Sequence, residues 1–165
     1  QSLRLKKETF DLVEKIKAVV YDFQRHGGAP RVDKKTIIKY EEPGEPIMVE
    51  ADLTRIFEVL SNLLGNAVKF TKSGSITIKS TLEQPDKVTV AIKDTGTGID
   101  ETIVPRLFTK FTTNSESGTG LGLFISKNII EAHGGTMWAE NNADGSGATF
   151  FFSLPYLKDP HPSAR

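Results

Sequence analysis

The sequence predicts an α/β domain, in which three helices and six short strands share one core. Three stretches place apolar residues at helical spacing, six shorter ones read as strands, and turns rich in glycine and proline separate them. The chain has 165 residues, the size of one ordinary domain.

The first helix is predicted over Leu12–Arg25. Leu12, Val13, Ile16, Val19, Val20 and Phe23 share one face, and Asp11 with Glu14 has the spacing of a capping box. His26-Gly27-Gly28-Ala29-Pro30 ends it. Strands are predicted at Thr36–Glu41 and Ile47–Ala51, around a Glu42–Pro46 turn. A second helix follows the N-cap Asp52 and runs to Phe70. Ser75–Leu82 and Lys87–Asp94 alternate around Gln84-Pro85-Asp86, as a hairpin does. A glycine turn and a short helix over Glu101–Phe108 come next, then a small, polar loop, Thr112–Thr119. The third long helix is predicted over Gly120–His133, closed by Gly134 and Gly135. Thr136–Glu140 and Ala148–Leu154 are the last strands, and residues 157–165 form a flexible tail.

Composition excludes several functions. Lys plus Arg is 21 and Asp plus Glu is 21, so no global field draws in nucleic acid or an anionic membrane. There is no cysteine, hence no disulfide and no thiolate metal site. No apolar run approaches the ~20 residues that span a bilayer. Gln1 is not an initiator methionine and no signal-peptide pattern follows, so a fragment of a longer protein is expected.

Four segments stand out. On the second helix, Leu53, Ile56, Phe57, Leu60, Leu63, Leu64 and Ala67 form an apolar stripe. Arg55, Glu58, Asn62, Gly65, Asn66 and Lys69 are placed opposite it, with Asn62, Asn66 and Lys69 at i, i+4 and i+7. Two Asn and a Gly cost a helix roughly 2 kcal/mol against alanine. A solvated face would account for them, and so would a wall for Mg²⁺ and phosphate, since Mg²⁺ takes oxygen ligands. The second segment, Asp94-Thr-Gly96-Thr-Gly98-Ile99, closes an apolar strand. Alone it reads as an ordinary capped turn, or as a carboxylate placed to accept an exocyclic amine, with glycines admitting a ligand to the backbone.

The third, Gly118-Thr119-Gly120-Leu121-Gly122-Leu123, opens the last long helix. It is either a linker with a cap or an anion site, because free N–H groups point out of a helix start. Its G-x-G-x-G spacing after a polar loop is neither a dinucleotide fingerprint nor a Walker loop. In the fourth, Phe108-Thr-Lys110-Phe111, the lysine is equally a solvated cation or a phosphate contact. His133 reads as part of a helix C-cap, Trp138 as core, and His26 and His161 carry no assignment.

Together these segments resemble the catalytic domain of sensor histidine kinases, in the GHKL (Bergerat-fold) ATPase superfamily shared with gyrase, the heat-shock chaperone ATPase and the mismatch-repair ATPase. Asn62-Leu-Leu-Gly-Asn66-Ala-Val-Lys69-Phe70 is similar to the N-box. Asp94–Ile99 resembles the first glycine box, Phe108–Phe111 the F-box and Gly118–Leu123 the second glycine box. Gly145-Ser-Gly147-Ala-Thr149-Phe150, ending at Leu154-Pro155, resembles the closing strand. The resemblance covers about Phe10 to Pro155.

It implies a two-layer sandwich, a mixed sheet of about five strands against three helices. It implies a domain over residues 10–156, with residues 1–9 as the junction from an absent dimerisation and phosphoacceptor hairpin. It implies ATP and Mg²⁺ as cofactors, with Asn66 ligating the metal, Lys69 contacting phosphate, and Asn62, Asn66 and Lys69 forming the catalytic set. Asp94 would hold the adenine amine with Thr149 assisting, flanked by Phe70, Gly96, Gly98 and Ile99. Lys110 and Phe111 would border a lid at Thr112–Thr119, and Gly118 to Leu123 would cradle phosphate.

Two departures follow. The lid holds no Arg or Lys, leaving Lys69 and Lys110 as the candidate cations. Asn62 stands where hydrolysing relatives carry a glutamate, and an amide is no general base. The implied reaction is therefore phosphoryl transfer to a histidine outside this chain, then to a response-regulator aspartate. The isolated domain would be a monomer, its parent a homodimer, at work in the cytoplasm, with no nucleic acid and no direct membrane contact. The rivals are a hydrolysing ATPase or serine kinase of the same superfamily, and a non-catalytic nucleotide sensor.

Overall fold

A computed structural model describes residues 3–26, 35–111 and 121–158. Ten elements follow one another: β1 (Glu8–Asp11), α1 (Leu12–His26), β2 (Thr36–Glu41), β3 (Met48–Ala51), α2 (Leu53–Phe70), β4 (Gly74–Glu83), β5 (Lys87–Asp94), α3 (Gly122–Ala132), β6 (Met137–Asn141) and β7 (Ala148–Pro155). Between β5 and α3 lies one 3₁₀ turn, Val104–Arg106, where the sequence predicts a longer helix over Glu101–Phe108. Pro105 is tolerated there because it sits in the first turn.

Five strands form a mixed sheet in the order β2-β4-β5-β7-β6. β2 runs parallel to β4, and the other neighbours are antiparallel. One register row crosses all five strands, through Tyr40, Ile78, Ile92, Phe150 and Ala139. The next holds Ile38, Ile76 and Asp94. Because side chains alternate along a strand, these rows face one side. That side carries the buried Ile76, Ile78, Val88, Val90, Ile92, Phe152 and Leu154. Leu12 and Ile16 of α1, Ile56, Leu60, Leu63 and Leu64 of α2, and Ile129 and Ile130 of α3 join the same core. The result is the expected two-layer sandwich of one mixed sheet and three helices. Each fully buried Leu or Ile contributes about 1.5–3 kcal/mol relative to exposure.

Four further local outcomes differ from the reading of the sequence. β1 was not anticipated: Glu8 and Thr9, read as junction, pair with Ala51 and Glu50 of β3. Gly65, read on the polar face of α2, is buried, because α2 packs against α1 and α3 as well as the sheet. The capping box is half made. Asp11 Oδ1 accepts the Val13 and Ile47 N–H groups, both at 3.0 Å, while Glu14 turns to Lys17. Trp138 is only half-buried and stacks on Phe151, 5.0 Å between ring centres, on the alternate face of the sheet.

Candidate nucleotide-binding site

Backbone contacts bring the predicted segments together. The N–H of Thr97 donates to Phe70 O at the end of α2 (3.3 Å). The approach is so close that a Cβ on Gly96 would stand 2.1 Å from that oxygen. At the other side of α2, Asn62 Nδ2 donates to Ser126 Oγ (3.1 Å) and reaches Gly122 O (3.5 Å). The start of α3 is thereby tied to the middle of α2. The F-box joins through Phe108, whose ring meets the edge of Phe150 at 6.5 Å.

Asp94 is the most constrained group. It is 4% exposed, at the end of an apolar register row. Its Oδ1 accepts the N–H of Gly96 (2.9 Å) and of Ala148 (3.3 Å). Oδ2 has no donor among the described residues, and it is not among their sealed, unpartnered polar atoms. One oxygen is thus fixed and the other is left to accept. Burial pushes the carboxyl above its usual range, against the lowering effect of the two backbone donors.

Thr149 stands one step back. Its register partners are Lys93 and Glu140, so it alternates away from Asp94. Its hydroxyl donates to Asn142 Oδ1 (2.6 Å), and Asn142 Nδ2 donates to Asp94 O (2.8 Å) and Ser146 O (2.6 Å). Asn142 was missed by the sequence reading, as was Asn141, which binds the backbone of Ile99 through both ends of its amide (2.7 and 2.9 Å). Gly147 passes so close that a Cβ there would lie 2.1 Å from Asp94 O, and its φ of +72° favours glycine.

On α2, Asn66 and Lys69 are half-buried. Asn66 makes no side-chain hydrogen bond among the described residues, and Lys69 has only the Phe70 ring, 5.8 Å away. Lys110 Nζ lies 5.1 Å from the ring centre of Phe124 on α3, with Lys127 similarly over Phe108. Phe111 is 71% exposed at a φ of +64°, a backbone conformation rare for a bulky residue. Leu121, Gly122 and Leu123 are half-buried, and α3 starts with no side-chain cap. Gly118, Thr119, Gly120 and the predicted lid Thr112–Thr119 lie outside the described residues.

His133, as read, ends α3. Nε2 accepts the Asp52 N–H (3.0 Å), which leaves the ring proton on Nδ1, facing Ile129 O at 2.7 Å. A groove of about 750 Å³ between α1 and β2, lined by Tyr21, Ile37 and Lys39 among others, holds none of the predicted site residues.

Comparison with known proteins gives the family. The family model for histidine kinase-, DNA gyrase B- and HSP90-like ATPases matches residues 51–158. The chain is 43% identical over 117 residues to the sensor protein FixL of Bradyrhizobium diazoefficiens, covering 69% of this chain and 23% of FixL. It is 35% identical over 125 residues to the sensor histidine kinase WalK of Bacillus subtilis, covering 71% of this chain and 20% of WalK. It therefore spans about a fifth of the curated relatives it matches. The catalytic domain of histidine kinase ThkA superposes with a TM-score of 0.76 at 33% identity, covering 95% of this chain and all of that one. Full-length ShkA, in complex with AMPPNP, superposes at 0.78 and 26% identity, covering 99% of this chain and 34% of that one. The chain belongs to the histidine kinase-, DNA gyrase B- and HSP90-like ATPase family, as an ATP-binding catalytic domain of the sensor histidine kinase type.

Proposed function

We propose that this domain binds Mg·ATP between the end of α2, the Asp94–Ile99 turn and the start of α3, and passes the γ-phosphoryl group to a histidine on a separate helical hairpin of its parent. The observation that carries the reading is Asp94: a buried carboxylate with one oxygen tied to backbone and the other open. A hydrogen-bond acceptor placed there suits the exocyclic amine of adenine. Gly96 and Gly147 let neighbouring backbone close on the turn, against Phe70 O and Asp94 O respectively, which fixes the carboxylate in place.

The rest of the nucleotide follows the helices. Lys69 and Lys110 are the candidate cations for its phosphates, and Gly122 and Leu123 in the first turn of α3 would offer N–H groups to anionic oxygens. Among the described residues no group of three His, Cys, Asp or Glu could hold a metal ion. Mg²⁺ can accept one protein oxygen and take the remainder from phosphate and water. Asn66, with no side-chain hydrogen-bond partner among the described residues, would supply that oxygen, and the ion would neutralise phosphate charge. AMPPNP in full-length ShkA supports an adenine nucleotide as the ligand.

Transfer is favoured over hydrolysis by Asn62. Its amide nitrogen is engaged with Ser126 and Gly122, and an amide cannot take a proton from water. The phosphohistidine would then donate to a response-regulator aspartate. The parent would act as a homodimer on the cytoplasmic side. No helix among the described residues is long and apolar enough to cross a membrane.

Calorimetry with ADP tests the base contact. Losing a charge-assisted hydrogen bond should cost about 1.5–3 kcal/mol, so Asp94→Asn should weaken binding roughly 10- to 150-fold. Unchanged affinity would remove adenine from Asp94.

A further inference from the structure

We infer that Asn141 is a positioning residue for nucleotide binding: its amide clamps Ile99 and holds the Asp94–Ile99 turn open to the base. This rests on the adenine reading of Asp94 only for where the base lies. Asn141 is the last residue of β6, an edge strand of the sheet, and among the described residues no strand lies on its outer side. The Ile99 N–H donates to Asn141 Oδ1 (2.7 Å) and Asn141 Nδ2 donates to Ile99 O (2.9 Å). One side chain therefore satisfies both backbone groups of a residue 42 positions away, as a neighbouring strand would.

The alternatives are few. The turn is anchored at its start by Asp94 Oδ1 and at Thr97 by Phe70 O. Beyond Thr97, among the described residues, its backbone is held only by Asn141 until Asp100 begins the next turn. Gly98, at a φ of +78°, would otherwise let that half of the turn swing. A Cβ on Gly98 would lie 3.1 Å from Asn141 Oδ1, so the glycine and the amide fit one another. Asn142 performs the matching task at the front of the turn, on the carbonyl of Asp94. Consecutive Asn residues thus grip the two ends of the glycine segment.

Asn141 is exposed, so its substitution should leave the fold intact. Each lost hydrogen bond is worth about 1 kcal/mol, so Asn141→Ala should lower the thermal midpoint by only several degrees and raise the Kd for ADP about five- to thirty-fold, because the nucleotide must then order the loosened turn. Amide exchange at Ile99 should quicken in the same variant. Asn141→Gln keeps both ends of the amide and should recover part of the affinity. Asn141→Asp keeps only the acceptor and should do no better than alanine. Combined with Asp94→Asn, the two losses should fall short of multiplying, because both act on one turn. If Asp94→Asn alone leaves ADP binding unchanged while Asn141→Ala lowers it, the adenine contact falls and the clamp stands. An Asn141→Ala affinity within twofold of the parent, or full multiplication of the two losses, overturns the clamp.

Discussion

A carboxylate that is 4% exposed, in register with Ile38 and Ile76, works against folding wherever it is ionised. Burial raises its folded pKa, so between the ordinary carboxylate range and that raised value the folded chain holds more protons than the unfolded one. Stability attributable to Asp94 therefore declines as pH rises through this window and stays low at neutral pH. Asparagine keeps an oxygen for the N–H groups of Gly96 and Ala148 without the charge. We expect apo Asp94→Asn to melt at or above the parent's temperature at pH 7, with the difference shrinking as pH falls below the raised pKa. A drop of several degrees at pH 7 in scanning calorimetry would refute this account of Asp94. The expected pairing of higher stability with weaker binding is the usual trade at a functional site.

At the scale of elements, two caps lock the helices that carry the site. Asp52 accepts the N–H of Lys6 (2.9 Å) and of Arg55 (3.3 Å), the first holding its carboxyl below the usual range. Its own N–H donates to His133, the C-cap of α3. His133→Ala leaves that buried N–H unpaired and should cost about 1–3 kcal/mol, read as a lower urea midpoint at constant m-value. The amide stripe of α2 divides by the same logic. Asn62 is occupied by α3 while Asn66 is not, so Asn66→Ala should reduce the Mg²⁺ dependence of ATP-analogue binding more than Asn62→Ala does. Equal dependence in both variants and the parent would place metal ligation elsewhere. The bounds of α2, β2 and β5 were legible because the Asp52 cap and unbroken periodicity mark them. β1 was not, since Glu-Thr-Phe-Asp has one buried apolar residue and becomes a strand only by pairing with β3. Asp94 and Asn66 drew attention in sequence only alongside the other segments, since alone Asp94 reads as a capped turn and Asn66 as part of a solvated face. Asn141 and Asn142 drew none, because polar residues near a turn are ordinary in sequence and acquire meaning only from a backbone some forty positions away.

For the whole molecule, both ends of the described chain return to β3: β1 pairs with it, and the Leu157 N–H donates to Met48 O (2.8 Å). Whatever precedes β1 is thus coupled through Lys6 and Asp52 to α2 and, through His133, to α3. The domain is of an ATP-binding type, with Lys69 and Lys110 proposed as the cations for its phosphates. His133, the histidine whose side chain is described, is buried as a cap on Asp52 and is not placed to accept a phosphoryl group. Phosphoryl transfer rests on positioning and charge stabilisation, so nucleotide bound without an acceptor should persist. With radiolabelled ATP, this chain alone should neither label itself nor release phosphate quickly. Adding the parent's helical hairpin should restore labelling of its histidine, slowly, because a unimolecular encounter has become bimolecular and its effective molarity is lost. Label that is acid-labile, base-stable and confined to the mixture is the expected outcome. Brisk phosphate release by the isolated chain would make it a hydrolase instead, and would require a base other than Asn62.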